Sequence, residues 1–213
     1  MITKNFTIKI ATLLALFGLL LPVANGARFI EGQHYIEIPF SDSLKTGKKV
    51  EVREFFWYGC PHCYRLEPLL GEWLKTKPKA ALFVRTPAFL PKWKIHARLY
   101  YSLESLNKVD ALHSKFFASV QNSKQKMSNK ADIVSFVTSN GVNKADFLKA
   151  WDSFDVDKKI RKAQQLGQKY GIRSVPNMVV DGRYVIGAGS AGSQVKMMQV
   201  VDYLVNKIAK EKK

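Results

Sequence analysis

The chain has two cysteines, both in the run Phe56-Trp57-Tyr58-Gly59-Cys60-Pro61-His62-Cys63-Tyr64. Their tetrad follows an apolar, aromatic stretch over 50–57 that reads as a strand, and it opens a helix predicted over 61–75. Pro61 falls at the first helical position, where its missing N–H has no partner to lose. Pro68, inside the same helix, is expected to kink it. A structural staple is a poor account of the pair, because a loop closed over two intervening residues removes little unfolded-state entropy. A zinc clip needs about four ligands. Only His34, His62, His96 and His113 could supplement the sulfurs, and none has a matched spacing. The tetrad therefore reads as a thiol–disulfide redox centre at a strand-to-helix junction.

The first 26 residues read as a secretory signal peptide. Lys4 and Lys9 form a basic start, 10–23 is almost wholly apolar, and Ala24-Asn25-Gly26 supplies small residues at the cut. The apolar run is short of the ~20 residues of a membrane span. Removing 26 of 213 residues leaves a mature chain of 187 from Ala27, enough for one domain with a small insertion. Export would deliver the cysteines to a compartment where disulfides form. Taking two lysines from 34 basic residues against 17 acidic ones leaves +15. The lysines are scattered over helices, which implies a solvated surface and no nucleic-acid partner. The cluster over 207–213 reads as a frayed, dipole-compatible helix end.

Strand signals recur over 34–38, with Ile36 and Ile38 on one face, over 80–86, and over 178–180 and 184–186. The last two are joined by Asp181-Gly182, a type I′ hairpin signal. Helical spacing dominates 91–154; Phe147, Leu148, Trp151 and Phe154 form one of its apolar stripes. A charged helix over 156–170 follows. A closing helix carries Val195, Met198, Val201, Val205 and Ile208 on one face. The order implies an α/β protein: a βαβ unit over 27–90, an all-helical insertion over 91–154, and an αββα unit over 155–213. The two units are expected to share one mixed sheet with the first and last helices on its faces. Glu54 alternates with Val50, Val52 and Phe56 and so shares their apolar face, where a carboxylate is costly and its pKa should rise. An ion pair with a neighbouring-strand cation such as Arg85 would offset that cost.

This order, with Cys60-Pro61-His62-Cys63 at the first βα junction, resembles the DsbA family of secreted dithiol oxidases, which have a thioredoxin fold. The segment 54–64 is similar to the family's active-site segment, and Ser174-Val175-Pro176 before the hairpin to its cis-proline loop. Pro-His between the cysteines is typical of DsbA-like oxidases, whereas thioredoxin-like reductases usually carry Gly-Pro. DsbA is itself the standard example of a low-pKa thiol with an oxidising disulfide, so that poise is carried over from the family. The resemblance implies a periplasmic enzyme that introduces disulfides into reduced secreted proteins. Cys60 would be attacked by substrate, Cys63 would be the resolving thiol, and His62 and the helix N-terminus would stabilise the Cys60 thiolate. Glu54 would accept the Cys63 proton, and Val175 and Pro176 would hold substrate peptide by strand addition. Trp57, Tyr58, Met178 and 89–91 are further candidates for that surface. The other three histidines read as packed. The resemblance also implies a monomer without organic cofactor or metal, reoxidised by a DsbB-type membrane partner. The alternatives are a disulfide isomerase or reductase, a Cys-x-x-Cys metallochaperone, and a folding chaperone without redox turnover.

Overall fold

The computed structural model describes residues 29–39, 41, 43–89, 93–122 and 127–212. The predicted signal segment, its junction at Ala27, and Leu90 and Pro91 lie outside them. The elements in chain order are β1 (Ile36–Glu37), β2 (Val50–Phe56), α1 (Pro61–Thr76), β3 (Ala81–Pro87), α2 (Lys94–Ser105), α3 (Val109–Asn122), α4 (Lys130–Ser139), α5 (Lys144–Trp151), α6 (Phe154–Lys169), β4 (Asn177–Val180), β5 (Tyr184–Gly187), α7 (Ala188–Ala191) and α8 (Gln194–Glu211). The strands form one mixed sheet in the order β1-β5-β4-β2-β3. β2 pairs parallel with β3 across the α1 crossover and antiparallel with β4, so it is flanked on both sides by backbone partners. This is the thioredoxin fold with a helical insertion that the element order implies.

The apolar positions divide into a sheet core and a helical core. Leu66, Leu70 and Trp73 of α1 and Met197, Val201, Leu204 and Ile208 of α8 pack with Val50, Val52, Val180 and Ile186. The first and last helices thus cover the same face of the sheet. Trp73 Nε1 donates to Asp202 Oδ1 at 2.7 Å and ties the two helices together. On the opposite face Phe55 and Val179 pack against Tyr170, with Leu166 alongside, at the end of α6. The helical core joins Leu99, Leu112, Phe116, Ile133 and Phe147, and it takes in Phe56, Tyr58, Cys60 and Cys63. Each fully buried aliphatic or aromatic side chain here stabilises the fold by about 1.5–3 kcal/mol. The first half of α6, through Val156, Ile160 and Ala163, belongs to this helical core, so α6 links both bodies. Side-chain caps start the later helices: Asn129, Asn143, Ser153 and Ser193 each accept from a backbone N–H of the first turn.

Four details depart from the sequence pattern. Val195, on the apolar stripe of the closing helix, is 53% exposed because it lies in the first turn of α8, ahead of the residues that pack on the sheet. Ile36 is 57% exposed, because β1 is a two-residue edge strand paired only with β5; Ile38 is half-buried beyond it. Phe154 is 72% exposed, because the cap at Ser153 starts a new helix there and turns its first residue to solvent, with the Arg161 guanidinium 5.4 Å from the ring centroid. The C-terminal end is anchored rather than frayed. Lys212 Nζ reaches Asp181 Oδ1 at 2.6 Å, Leu44 O at 3.0 Å, Thr46 Oγ1 at 3.1 Å and Lys49 O at 3.1 Å. Asp181 is fully buried in the β4–β5 turn, where it and Gly182 take the positive φ of a type I′ turn and Arg183 N–H returns to Val180 O at 3.0 Å.

Removing one member of a buried ion pair leaves the other uncompensated and costs about 3–5 kcal/mol. Lys212→Met is therefore expected to destabilise the protein by roughly that amount in urea unfolding, while Lys210→Met, at an exposed site, leaves the midpoint nearly unmoved.

Candidate active site

β2 delivers the chain to the sheet's C-terminal edge, and the loop 57–60 turns it into α1. Gly59 is required in that loop: a Cβ there would lie 2.2 Å from the Trp57 ring. Trp57 is half-buried and stacks on Trp93 at 4.6 Å between centroids. Tyr58 is fully buried, and its carbonyl accepts from Gln121 Nε2 of α3 at 2.7 Å.

Cys60 is the N-cap of α1. Its Sγ accepts from Cys63 N–H at 3.4 Å and lies 3.5 Å from Val175 O, toward which the thiol donates. Both cysteines are in the free thiol form; Cys60 is 8% exposed and Cys63 not at all. Hydrogen bonding from the Cys63 thiol lowers the Cys60 pKa most. Backbone N–H groups of Cys63 and His62 and the His62 ring add to this against the cost of burial, and together they bring the thiol down to about 6. Burial pushes the Cys63 thiol well up, and its hydrogen bond to Cys60 pushes the same way. The two sulfurs are thus chemically unlike: one is mostly thiolate at neutral pH, the other holds its proton.

His62 lies on the exposed side of α1. Its Nδ1 is 2.8 Å from Arg65 Nη2, and since a guanidinium only donates, that nitrogen accepts. Its backbone carbonyl accepts from Gln194 Nε2 of α8 at 2.6 Å. The Val175–Pro176 peptide bond is cis and stands against Cys60. The Asn177 side-chain amide holds this loop by donating to Ser174 O at 2.7 Å. A cavity of about 370 Å³ opens here, lined by Ile36, His62, Val175, Pro176, Val185 and Ala188 among others. Of the other candidates for a peptide surface, Tyr58 and Met178 are core, and Phe89 lines a separate cavity beside Trp93. The edge position of Ile36 places it on the groove wall, which its alternation pattern did not suggest.

Glu54 is fully buried on β2 directly opposite Arg85 of β3, whose Nε donates to Glu54 Oε2 at 3.2 Å. Burial raises the Glu54 carboxyl to about 8 against the pull of Arg85. Arg85 also reaches Glu67 Oε2 of α1 at 3.2 Å. Glu67 lies one helical turn beyond Cys63 on the same face, a spacing visible in the chain although nothing marked it as functional. His113 of α3, which reads from the sequence as merely packed, closes the cluster with Nε2 3.3 Å from Glu67 Oε1. Among the described residues no group of three or more His, Cys, Asp or Glu side chains could hold a metal ion.

The DSBA-like thioredoxin domain family matches residues 94–194. The thiol:disulfide interchange protein DsbA of Pseudomonas syringae pv. tomato is 39% identical over 207 residues, covering 96% of this chain and 95% of that protein. The DsbA of Azotobacter vinelandii is 38% identical over 175 residues, 82% of each chain. The crystal structure of Pseudomonas aeruginosa DsbA superposes with a TM-score of 0.81 at 34% identity, covering 87% of this chain and 97% of that one.

Thiolate absorbance of the reduced protein is expected to rise with a single midpoint near pH 6, from Cys60, with no second step before pH 9. A Cys63→Ala variant should move that midpoint upward, because it removes the side-chain donor that lowers Cys60 most; an unmoved midpoint would show that the helix end alone suffices.

Proposed function

Since the chain belongs to the DsbA family and is a protein disulfide oxidoreductase of thioredoxin fold, we propose that Cys60 and Cys63 are its redox couple and that it works as an oxidant of exported proteins. The observation that carries this reading is the opposite tuning of the two sulfurs around the α1 N-terminus. A stabilised Cys60 thiolate favours the reduced enzyme and therefore makes the disulfide form an electron acceptor.

In the oxidised enzyme a substrate thiolate attacks Cys60 Sγ. The substrate–Cys60 bond forms, the Cys60–Cys63 bond breaks, and the departing Cys63 sulfur takes a proton. A second substrate thiolate then attacks the substrate sulfur, closes the substrate disulfide and releases Cys60 as thiolate. Two electrons pass from the substrate dithiol to the enzyme. Glu54 exchanges the proton with Cys63: the protonated carboxyl supplies it here, and the carboxylate takes it back when the enzyme is reoxidised. Its Oε1 has no hydrogen-bond partner of its own. Arg85 draws the carboxyl pKa back down against burial. Pro61 starts the helix that holds the thiolate, and His62 adds its ring beside it.

The groove beside Pro176 suits an extended peptide, with the Val175 backbone pairing to it. Reduced exported proteins are the substrates in this reading, with the protein acting as a monomer in the periplasm after cleavage of residues 1–26, without cofactor or metal. Reoxidation falls to a membrane protein of the DsbB type. No helix among the described residues is long and apolar enough to cross a membrane.

Equilibration of the couple against glutathione is expected to give a potential more oxidising than glutathione's; one as reducing as thioredoxin's would overturn the oxidant role. Cys60→Ser should abolish oxidation of a dithiol peptide. Glu54→Gln should slow Cys63 turnover and also alter the pH dependence of stability. Folded Glu54 keeps its proton to about pH 8, whereas its ordinary value is 4.5. The unfolded chain therefore binds fewer protons between those values, and stability falls as pH rises through that window. The variant should remove this slope, gaining most over wild type at pH 8 and little at pH 4.5 in denaturant titrations.

A further inference from the structure

Arg85 is one cation shared by two carboxylates. Its Nε serves Glu54 on β2, and its Nη2 serves Glu67 on α1, 3.5 Å from Oε1 and 3.2 Å from Oε2. How far it leans to each depends on what else Glu67 is offered. That offer comes from the helical insertion. His113 Nε2 lies 3.3 Å from Glu67 Oε1, within ion-pair reach but off line for a hydrogen bond, and its Nδ1 lies 2.8 Å from the Tyr58 hydroxyl. Tyr58 is fully buried, so its hydroxyl stays protonated, and burial likewise disfavours the imidazolium of His113. A neutral ring carries one N–H. With Glu67, an acceptor only, on one side and a hydroxyl able to donate on the other, the proton belongs on Nε2.

The geometry points to His113 as a positioning residue for the disulfide chemistry: held by Tyr58 with Nε2 facing Glu67, it leaves Arg85 to Glu54 and so decides when Glu54 can exchange the Cys63 proton. This rests on the proposed role of Glu54. The ionisable groups around His113 are Glu67 on α1, Arg85 on β3, Asp110 on its own helix, Tyr58 in the active-site loop and Tyr100 on α2. Those around Glu54 are Arg85, Glu67, Cys63, Tyr58 and Tyr100. Glu67 borders a groove of about 970 Å³ with Arg85, Asp110 and His113; burial pushes its carboxyl up, but His113 and Arg85 together hold it below the ordinary value. Without the His113 N–H, a charged Glu67 draws Arg85 toward itself and away from Glu54.

The test is a ¹³C titration of the Glu54 carboxyl in the reduced protein, paired with the pH profile of Cys63 attack on a Cys60–glutathione mixed disulfide. His113→Leu should raise both midpoints by about one pH unit. His113→Gln, whose amide can donate to Glu67 and accept from Tyr58, should restore them. Glu67→Gln should lower them, since it releases Arg85 to Glu54. Midpoints unmoved or lowered in His113→Leu, or unmoved in Glu67→Gln, overturn the proposal. Glu54→Gln separates the two readings: if it leaves the Cys63 profile intact, the Glu54 role itself fails, whatever His113 does to the carboxyl titration. Should His113→Leu not fold, ¹⁵N shifts of the wild-type ring decide: a neutral Nε2–H tautomer at pH 7 supports the assignment, and an imidazolium or Nδ1–H form refutes it.

Discussion

A sulfur held at the open end of a helix is the interaction on which the site depends. The first turn of α1 has backbone N–H groups without intrahelical partners, and Cys60 caps them. That same turn buries Cys63 against the helical core, where ionisation is penalised. One helix end thus separates two identical thiols into one that ionises readily and one that keeps its proton. The arrangement requires β2 to aim the loop at the helix axis, Gly59 to admit the Trp57 ring, and α3 to pin the Tyr58 carbonyl through Gln121.

The sheet and the helical insertion contribute differently. The sheet supplies the frame and one half of a buried charge cluster: Glu54 and Arg85 face each other because β2 and β3 pair parallel in that register. α1 adds Glu67, and the insertion adds His113 and the wall that excludes water from Cys63. A buried cation and two carboxylates are expensive to desolvate, and their mutual contacts offset that only in part. The proposed function gives the cluster a use other than stability, proton chemistry beside a buried thiol. The other side of Cys60 is simpler, a groove of about 370 Å³ whose lining includes the cis Val175–Pro176 bond.

Much of this was legible in the chain. The tetrad declared its chemistry by being the sole cysteine pair at a strand-to-helix junction, and alternation along 50–56 placed Glu54 on the buried face with a cross-strand arginine as its partner. Asp181-Gly182 announced the hairpin. Other features were not legible because they depend on contacts between distant segments. His113 lies 46 positions beyond Glu67 with nothing local to mark it, and Lys212 looked like one of several tail lysines until the fold brought the 44–49 loop and Asp181 around it. Ile36 alternates as a core residue would, yet an edge strand with one neighbour leaves it facing the groove.

Local order along the chain therefore determined the element sequence, the redox pair and the side of the strand on which the acid lies, since these follow from periodicity and nearest-neighbour chemistry. Only the tertiary structure decided which charges share Arg85, how the insertion reaches the active-site loop and what closes the C-terminus. Those are matters of long-range register and burial, and a hydrogen bond between residues dozens of positions apart leaves no periodic trace in the chain.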